Sequence, residues 1–380
     1  MKSIELIATA AFGLEAVVAR EVKNLGYEEV RVEDGKVTFR ADLRAIARAN
    51  IWLRSADRVL LKLGAFPATT FEELFKGTRN LDWPAWLPKN ANFPVQGKSV
   101  RSKLFSVPDC QAIVKKAIVE KMKERYKVEW FEETGPRYSI EVAFLKDMAT
   151  LTIDTSGAGL HKRGYRTLTG KAPLKETLAA ALVSLSYWRP EKVLIDPMCG
   201  SGTIPIEAAL IGLNVAPGLR RQFAAESWPT MPELLWQEAR QEAQDSIRAG
   251  KLTIRGTDVD EEAISLARYH ARQAGVDKHI HWQRLPLAEL RASQKYGCII
   301  CNPPYGQRLE EQPVVEKLYE EMGRVFQPFD TWSIYVLSAH PGFERLFGRR
   351  AARKRKLYNG RIQCNYYQYP GPPPPRRTAD

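Results

Sequence analysis

Between Lys192 and Cys301 two patterns take turns, and that alternation restricts the fold more than any other feature. Lys192–Ile195 is a short apolar run without polar alternation, as expected of a strand buried on both faces. Helical spacing follows over Thr203–Gly212. Then come strand patterns at Leu252–Gly256, Ile280–Arg284 and Cys298–Cys301, with a helix pattern at Glu261–Ala274. Strands alternating with helices predict an α/β fold, a doubly wound parallel sheet covered on both sides. Such sheets bind ligands beyond the carboxyl ends of their strands. A helix over Leu174–Leu185 leads into this region, and a long insertion with aromatic anchors Phe223, Trp228 and Trp236 interrupts it.

The first half has another rhythm. Ile4–Thr9 is a strand pattern, and Gly13–Leu25 places Leu14, Val17, Val18, Val22 and Leu25 at helical spacing before Gly26. Glu29–Phe39 predicts a hairpin around Asp34-Gly35, and Leu43–Arg58 returns to helical spacing. Residues 66–100, rich in Pro, Asn, Trp and Gly, are expected to be loop. Asp109–Tyr126 is a helix with Lys115, Lys116, Lys121 and Lys123 outward, and Tyr138–Phe144 and Ala149–Asp154 alternate as paired strands. These elements suggest small α+β domains over residues 1–63 and 64–158, an α/β domain over 159–369, and a disordered Pro-rich tail over 370–380.

Charge points to a polyanion. The net charge is +13. Residues 345–380 carry most of it, with ten Lys and Arg against one acid. Arg353, Lys354, Arg355 and Lys356 stand at its centre as candidate phosphate contacts, or as a solvated basic tail. No apolar run approaches the ~20 residues that span a bilayer, and the N-terminus lacks the layout of a signal peptide. No membrane contact and a cytoplasmic location are therefore expected. Five cysteines, odd and sparse, suggest reduced thiols rather than disulfides. Cys298 and Cys301 lack a second ligand pair, so no metal is expected.

Two motifs carry chemistry. In Val193–Thr203 a strand, an acid, a glycine-rich turn and a helix follow one another: Asp196, Met198, Gly200, Gly202 and Thr203 fall in the turn or at its ends. The order is neither G-x-G-x-x-G nor a P-loop. A carboxylate at Asp196 would repel a pyrophosphate and suit a cation. S-adenosylmethionine carries both an ammonium and a sulfonium. Asp258, 56 residues beyond Gly202, ends the next strand, where an acid can accept ribose hydroxyls. Asp260 is expected to cap the following helix, and Glu289 to meet the adenine amine.

The second motif is Asn302-Pro303-Pro304-Tyr305, placed directly after the strand Cys298–Cys301. Two prolines end the strand and stiffen the loop. An exocyclic base amine is a poor nucleophile because its lone pair is delocalised into the ring. The Asn302 side-chain oxygen and the Pro303 carbonyl can accept its two N–H groups and let the nitrogen rehybridise. Tyr305 can stack on the base, which must leave its helix to reach the cofactor. Asn302 would then serve both substrate and cofactor sides.

Longer signatures surround these motifs. Gly159–Arg166, Ala172–Leu182, Asp196–Thr203, Asn302–Gly306, Asn214–Gly218 and Arg353–Gly360, with Thr9–Glu15 and Ala49–Leu60 earlier in the chain, resemble the THUMP-domain RNA methyltransferases. Within that group they are similar to bacterial 23S rRNA guanine-N2-methyltransferases. The resemblance implies a ferredoxin-like segment, a THUMP RNA-binding domain and a Rossmann-like class I methyltransferase domain. It implies S-adenosyl-L-methionine as cofactor and 23S rRNA as substrate, with no obligate protein partner. Glu289 stands where the family usually shows Asp, and the second methyltransferase fused in some members is not expected here. A tRNA guanine-N2 activity, a DNA adenine-N6 activity and a non-enzymatic ribosome-assembly role are the alternatives.

Overall fold

The structure, a computed structural model, describes residues 3–168, 174–306 and 309–375. Met1 and Lys2, Ala172 and Pro173 of the second signature, and the last five residues of the Pro-rich tail lie outside them. The chain divides into two compact units. The first holds the described residues of Met1–Ala10, Val18–Leu160 and Arg221–Glu242, and the second those of Ala11–Val17, His161–Arg220 and Ala243–Asp380.

The first unit is built on one seven-stranded sheet. In chain order its elements are β1 (Ile4–Ala10), α1 (Glu15–Asn24, whose first turn counts with the second unit), β2 (Val30–Glu33), β3 (Lys36–Ala41), α2 (Arg44–Trp52), β4 (Ala56–Pro67), α3 (Phe71–Arg79), β5 (Val95–Val100), α4 (Val107–Tyr126), β6 (Ile140–Leu145) and β7 (Met148–Asp154). The strand order is β2-β3-β1-β4-β7-β6-β5. The twelve-residue β4 pairs with β1 along one edge and β7 along the other, and its register shifts between Lys62 and Gly64. The Leu63 boundary thus falls inside a strand, at its bulge. A buried polar knot ties β7 to α2 and β4: Asn50 donates to the Thr155 hydroxyl at 2.8 Å and accepts from that of Ser156 at 2.6 Å.

Two expectations need correction here. The helix predicted over Leu43–Arg58 stops at Trp52, because Glu21 accepts from the backbone N–H groups of Arg54 and Ser55 and draws the chain into β4. Residues 66–100 are not all loop. They contain α3, opened by a capping box in which Thr70 accepts from the Glu73 N–H and Glu73 accepts from the Thr70 N–H. The signal stood in the sequence as Thr-x-x-Glu and was masked by the surrounding turn formers.

The insertion also packs in the first unit. Trp228 stacks on Tyr138 with centroids 4.5 Å apart, Phe223 stacks on Trp236 at 5.5 Å, and Arg48 grips Glu242 with two hydrogen bonds of 2.7 Å. The aromatic anchors therefore close a core that is distant in sequence.

The second unit runs α5 (Glu176–Ser184), β8 (Leu194–Asp196), α6 (Thr203–Gly212), α7 (Glu233–Asp245, whose residues to Glu242 belong to the first unit), β9 (Ile254–Asp258), α8 (Glu261–Ala274), β10 (Ile280–Arg284), β11 (Cys298–Cys301), α9 (Gln312–Phe326), β12 (Ser333–Ser338), α10 (Phe343–Phe347), β13 (Arg353–Asn359) and β14 (Ile362–Tyr369). Its sheet has the order β10-β9-β8-β11-β12-β14-β13. The first five strands are parallel, and β14 is antiparallel to β12 and to β13. From β8 the chain builds outward to β10, then returns to the other side of β8 with β11. The switch point lies between β8 and β11, where an open sheet leaves a crevice.

The basic segment Arg353–Lys356 is no tail. It is the first part of β13, the edge strand, and Leu357 beside it is fully buried. A charge run alone reads as solvated chain. Pairing with β14, over seven residue pairs, overrides it.

Candidate functional site

Asp196 ends β8 with its carboxyl group 1% exposed. It accepts a hydrogen bond from the Met198 N–H at 3.3 Å. Burial, with the Asp258 charge nearby, pushes its carboxyl well above the usual carboxylate range. A buried acid with so little compensation favours a cationic ligand that restores its charge. Gly200 and Gly202 follow at φ 51° and 83°. A side chain at Gly202 would strike Trp282 at 2.6 Å and Ala267 at 2.9 Å, whereas one at Gly200 would point into open space. Gly202 lets the turn pack, and Gly200 leaves room above it.

Asp258 ends β9, the neighbouring strand. One carboxylate oxygen accepts from Gly200 N–H at 2.8 Å and the other from Asp260 N–H at 3.1 Å. The second acid therefore holds the glycine turn in shape, and each oxygen keeps a lone pair for a ligand hydroxyl. Asp260 caps α8 by accepting from the Glu262 N–H at 2.8 Å. Thr203, in the first turn of α6, is buried, and its hydroxyl accepts from Arg166 at 2.5 Å. Met198 is half-buried against the apolar cluster on the β11–β12 side. Glu289 is exposed in a short 3₁₀ turn after β10, at the same edge of the sheet.

Asn302 leaves the end of β11, next to β8 across the switch point. Its side-chain oxygen accepts the Tyr305 hydroxyl proton. Tyr305 is half-buried against the core, and the Asn359 amide donates to its hydroxyl at 3.4 Å. Through this bond the Tyr305 hydroxyl orients the Asn302 amide, while part of the ring stays exposed. Pro303 is buried and Pro304 exposed. The Pro304 carbonyl accepts from the Tyr319 hydroxyl at 2.6 Å, and Tyr319 meets Ser338 at 3.0 Å. Cys298 and Cys301 are fully buried within β11, and burial pushes the Cys298 thiol up to about 12. They behave as apolar side chains.

Of the basic candidates, Lys354 pairs with Glu344 at 2.7 Å and Arg355 donates to the Gly13 carbonyl at 3.2 Å. Arg353 and Lys356 are exposed. Sequence reasoning missed three supports: Arg166, Tyr319 and Asn359. Tyr319 lies on the buried face of α9, and only its helical spacing with Val315, Met322 and Phe326 hints at burial.

The topology, with an acid after each of the first two strands and Asn-Pro-Pro-Tyr after the fourth, defines a class I methyltransferase domain. Family comparison agrees. Residues 163–368 match the model described as RMKL-like, methyltransferase domain, residues 5–60 the RlmL ferredoxin-like domain, and residues 68–154 the THUMP domain. This chain belongs to the RMKL-like methyltransferase family, with ferredoxin-like and THUMP domains ahead of the catalytic one. A Bacillus subtilis relative named "Putative RNA methyltransferase YpsC" is 51% identical over 97% of this chain and 96% of its own. A crystal structure from Listeria monocytogenes, described as a predicted N6-adenine-specific DNA methylase, is 54% identical with a TM-score of 0.94, covering 98% of this chain and 97% of that one. SMU.472, a methyltransferase structure complexed with SAH, is 46% identical with a TM-score of 0.93, covering 98% and 99%. Among the described residues no helix is long and apolar enough to cross a membrane.

Proposed function

We propose that this protein transfers a methyl group from S-adenosyl-L-methionine to the exocyclic N2 amine of a guanosine in 23S rRNA. The observation that carries the reading is the Asn302 amide oxygen, oriented by Tyr305 at the carboxyl end of β11, beside the buried Asp196 at the end of β8.

The residues fit the cofactor. Asp196 is a buried carboxylate suited to the cationic amino-acid end, Asp258 can accept the ribose hydroxyls, and the open space above Gly200 leaves room for the body of the molecule. When bound, the cofactor supplies an electrophilic methyl on a sulfonium. Glu289, exposed at the same edge, is assigned to the adenine amine.

The chain's own groups then act on the amine. Asn302 Oδ1 has two lone pairs. One accepts the hydrogen bond from the Tyr305 hydroxyl, and the other can accept an N–H of the target. The Pro303 carbonyl accepts the second N–H, on a loop that Tyr319 fixes through the Pro304 carbonyl. Held in this way, the nitrogen would have its lone pair freed from ring conjugation to take the methyl as the sulfonium C–S bond breaks, and one amine proton would be lost to solvent. Orientation supplies the rate, and no covalent nucleophile is needed. The exposed part of the Tyr305 ring is available to the base. The THUMP domain and the basic β13 suit an RNA partner.

The test is transfer of tritiated methyl from the cofactor to total RNA of a strain lacking the gene, followed by sizing and nucleoside analysis. Label in large-subunit rRNA as N2-methylguanosine is expected. Label in tRNA moves the substrate and keeps the chemistry. Label in DNA as N6-methyladenine, the reading favoured by the description of the Listeria structure, would overturn the RNA assignment.

A further inference from the structure

If the Tyr305 hydroxyl is engaged and its ring half-buried, the bases around the target need another surface to stack on. The second unit offers one. β13 is antiparallel to β14, which is antiparallel to β12, so β13 runs parallel to β8 and β11. Its last residues, Tyr358 and Asn359, therefore reach the same sheet edge as Asp196 and Asn302. Asn359 reaches Tyr305, and Tyr358, one residue earlier at the same end of β13, turns its side chain to the other face of the sheet. Beside Tyr358 stands Phe12, edge to face with centroids 6.2 Å apart, and Phe12 is 57% exposed. Lys356 lies with its ammonium 5.7 Å from the centroid of the Tyr358 ring.

Two backbone contacts hold Phe12 there. Arg355 donates to the carbonyl of Gly13, and a side chain at Gly13 would sit 2.4 Å from the carbonyl oxygen of Lys356. Only glycine, at φ 88°, lets the segment before α1 lie so close to the edge strand. The result is an aromatic pair of exposed Phe12 and half-buried Tyr358, cationic at one side through Lys356 and at the strand turn through exposed Arg361. Exposed aromatics interleaved with cations are what an unpaired polynucleotide strand binds, through base stacking and phosphate pairing.

We propose that Phe12 and Tyr358, flanked by Lys356 and Arg361, form a stacking site for an unpaired nucleobase adjacent to the target nucleotide. The site rests on the RNA methyltransferase reading and extends it, since it makes single-stranded context beside the target part of substrate selection. Aromatic faces tolerate any base, so the site selects an unstacked neighbour more than a sequence.

The experiment is fluorescence anisotropy of the full chain, saturated with S-adenosylhomocysteine, against a labelled single-stranded RNA oligonucleotide over a range of salt. Phe12→Leu and Tyr358→Leu should each weaken binding by about tenfold without changing the slope of affinity against salt. Tyr358→Phe should bind like the wild type. Lys356→Ala should lower the magnitude of the salt slope by about 0.7, the value for one phosphate contact on a single strand. Affinity for S-adenosylhomocysteine should be the same in all four variants, because none touches Asp196 or Asp258, and this shows that they are folded. In methyl transfer the two leucine variants should raise KM for RNA and leave kcat near normal. Leucine variants that bind the oligonucleotide within twofold of wild type, while the wild type binds and methylates RNA, would overturn the stacking site alone. A wild type that neither binds nor methylates RNA would overturn both readings together.

Discussion

The two loops that meet at the switch point are prepared in different ways. After β8, the glycine turn is shaped by backbone groups, since the N–H groups of Gly200 and Asp260 end on one carboxylate, Asp258. After β11, the Asn-Pro-Pro-Tyr loop is shaped by side chains from elsewhere. Tyr305 holds Asn302, Asn359 reaches Tyr305 from β13, and Tyr319 holds Pro304 from α9. The first loop is complete within two strands that are neighbours in the sheet. The second also draws on β13 and α9. Damage to the first should therefore appear in cofactor binding, and damage to the second in turnover.

The largest expected effect breaks the second loop at its centre. Asn302→Ala should lower methyl transfer by roughly a thousandfold while cofactor affinity, measured by calorimetry, stays within about threefold. Transfer near the wild-type rate would remove Asn302 from the chemistry. The next breaks the first loop. Asp258→Ala should weaken cofactor binding by roughly 10- to 100-fold, because it removes a charged acceptor and leaves the Gly200 N–H without its partner. An unchanged dissociation constant would refute the ribose assignment.

Asp196 sharpens the contrast through its own stability effect. Its folded carboxyl titrates above its unfolded one, so its contribution to stability is full below the ordinary carboxylate range and is lost as pH rises through the folded value. Asp196→Asn should therefore make the free protein more resistant to urea than wild type at neutral pH, with the difference vanishing in acid. The same change should weaken cofactor binding by tenfold or more. A variant less stable than wild type at neutral pH would show that the buried charge has a partner.

Smaller effects probe the supports. Neutralising Arg353, Lys354, Arg355 and Lys356 together should weaken RNA binding by about tenfold at moderate salt and flatten the salt dependence. Loss of the exposed Lys354–Glu344 pair should change stability by less than about 1 kcal/mol. An unaltered salt slope would leave the strand with a structural role only. Tyr319→Phe should reduce kcat by about two- to tenfold with unchanged cofactor affinity, since it releases the Pro304 carbonyl without opening a cavity. If kcat holds, the prolines alone keep the loop in shape.

Much of the second unit could be read directly from the chain. Thr203–Gly212, Glu261–Ala274 and Cys298–Cys301 lie where periodicity puts them, because a buried parallel strand and an amphipathic helix each write their environment into consecutive residues. The two motifs stood out for the same reason: a turn needs its glycines, and a stiff loop its prolines, at fixed local positions. Three things escaped a local reading. The capping box of Thr70 and Glu73 was outweighed by neighbouring turn formers. The role of Tyr305 depends on Asn302 and Asn359 together. The supports Arg166 and Tyr319 are ordinary residues until the fold brings them to Thr203 and Pro304.

The sequence by itself determined the parallel sheet, the glycine turn behind an acid, and the Asn-Pro-Pro-Tyr loop at a strand end, because each follows from the conformational limits of a few adjacent residues. Tertiary structure decided the rest. It made the Arg353–Lys356 run an edge strand through pairing with β14, sent Arg221–Glu242 into the first unit through the Trp228 and Phe223 stacks, and set Phe12 beside Tyr358. Each outcome turns on which distant surface a segment buries, a free-energy difference between whole arrangements of the chain that no short window contains.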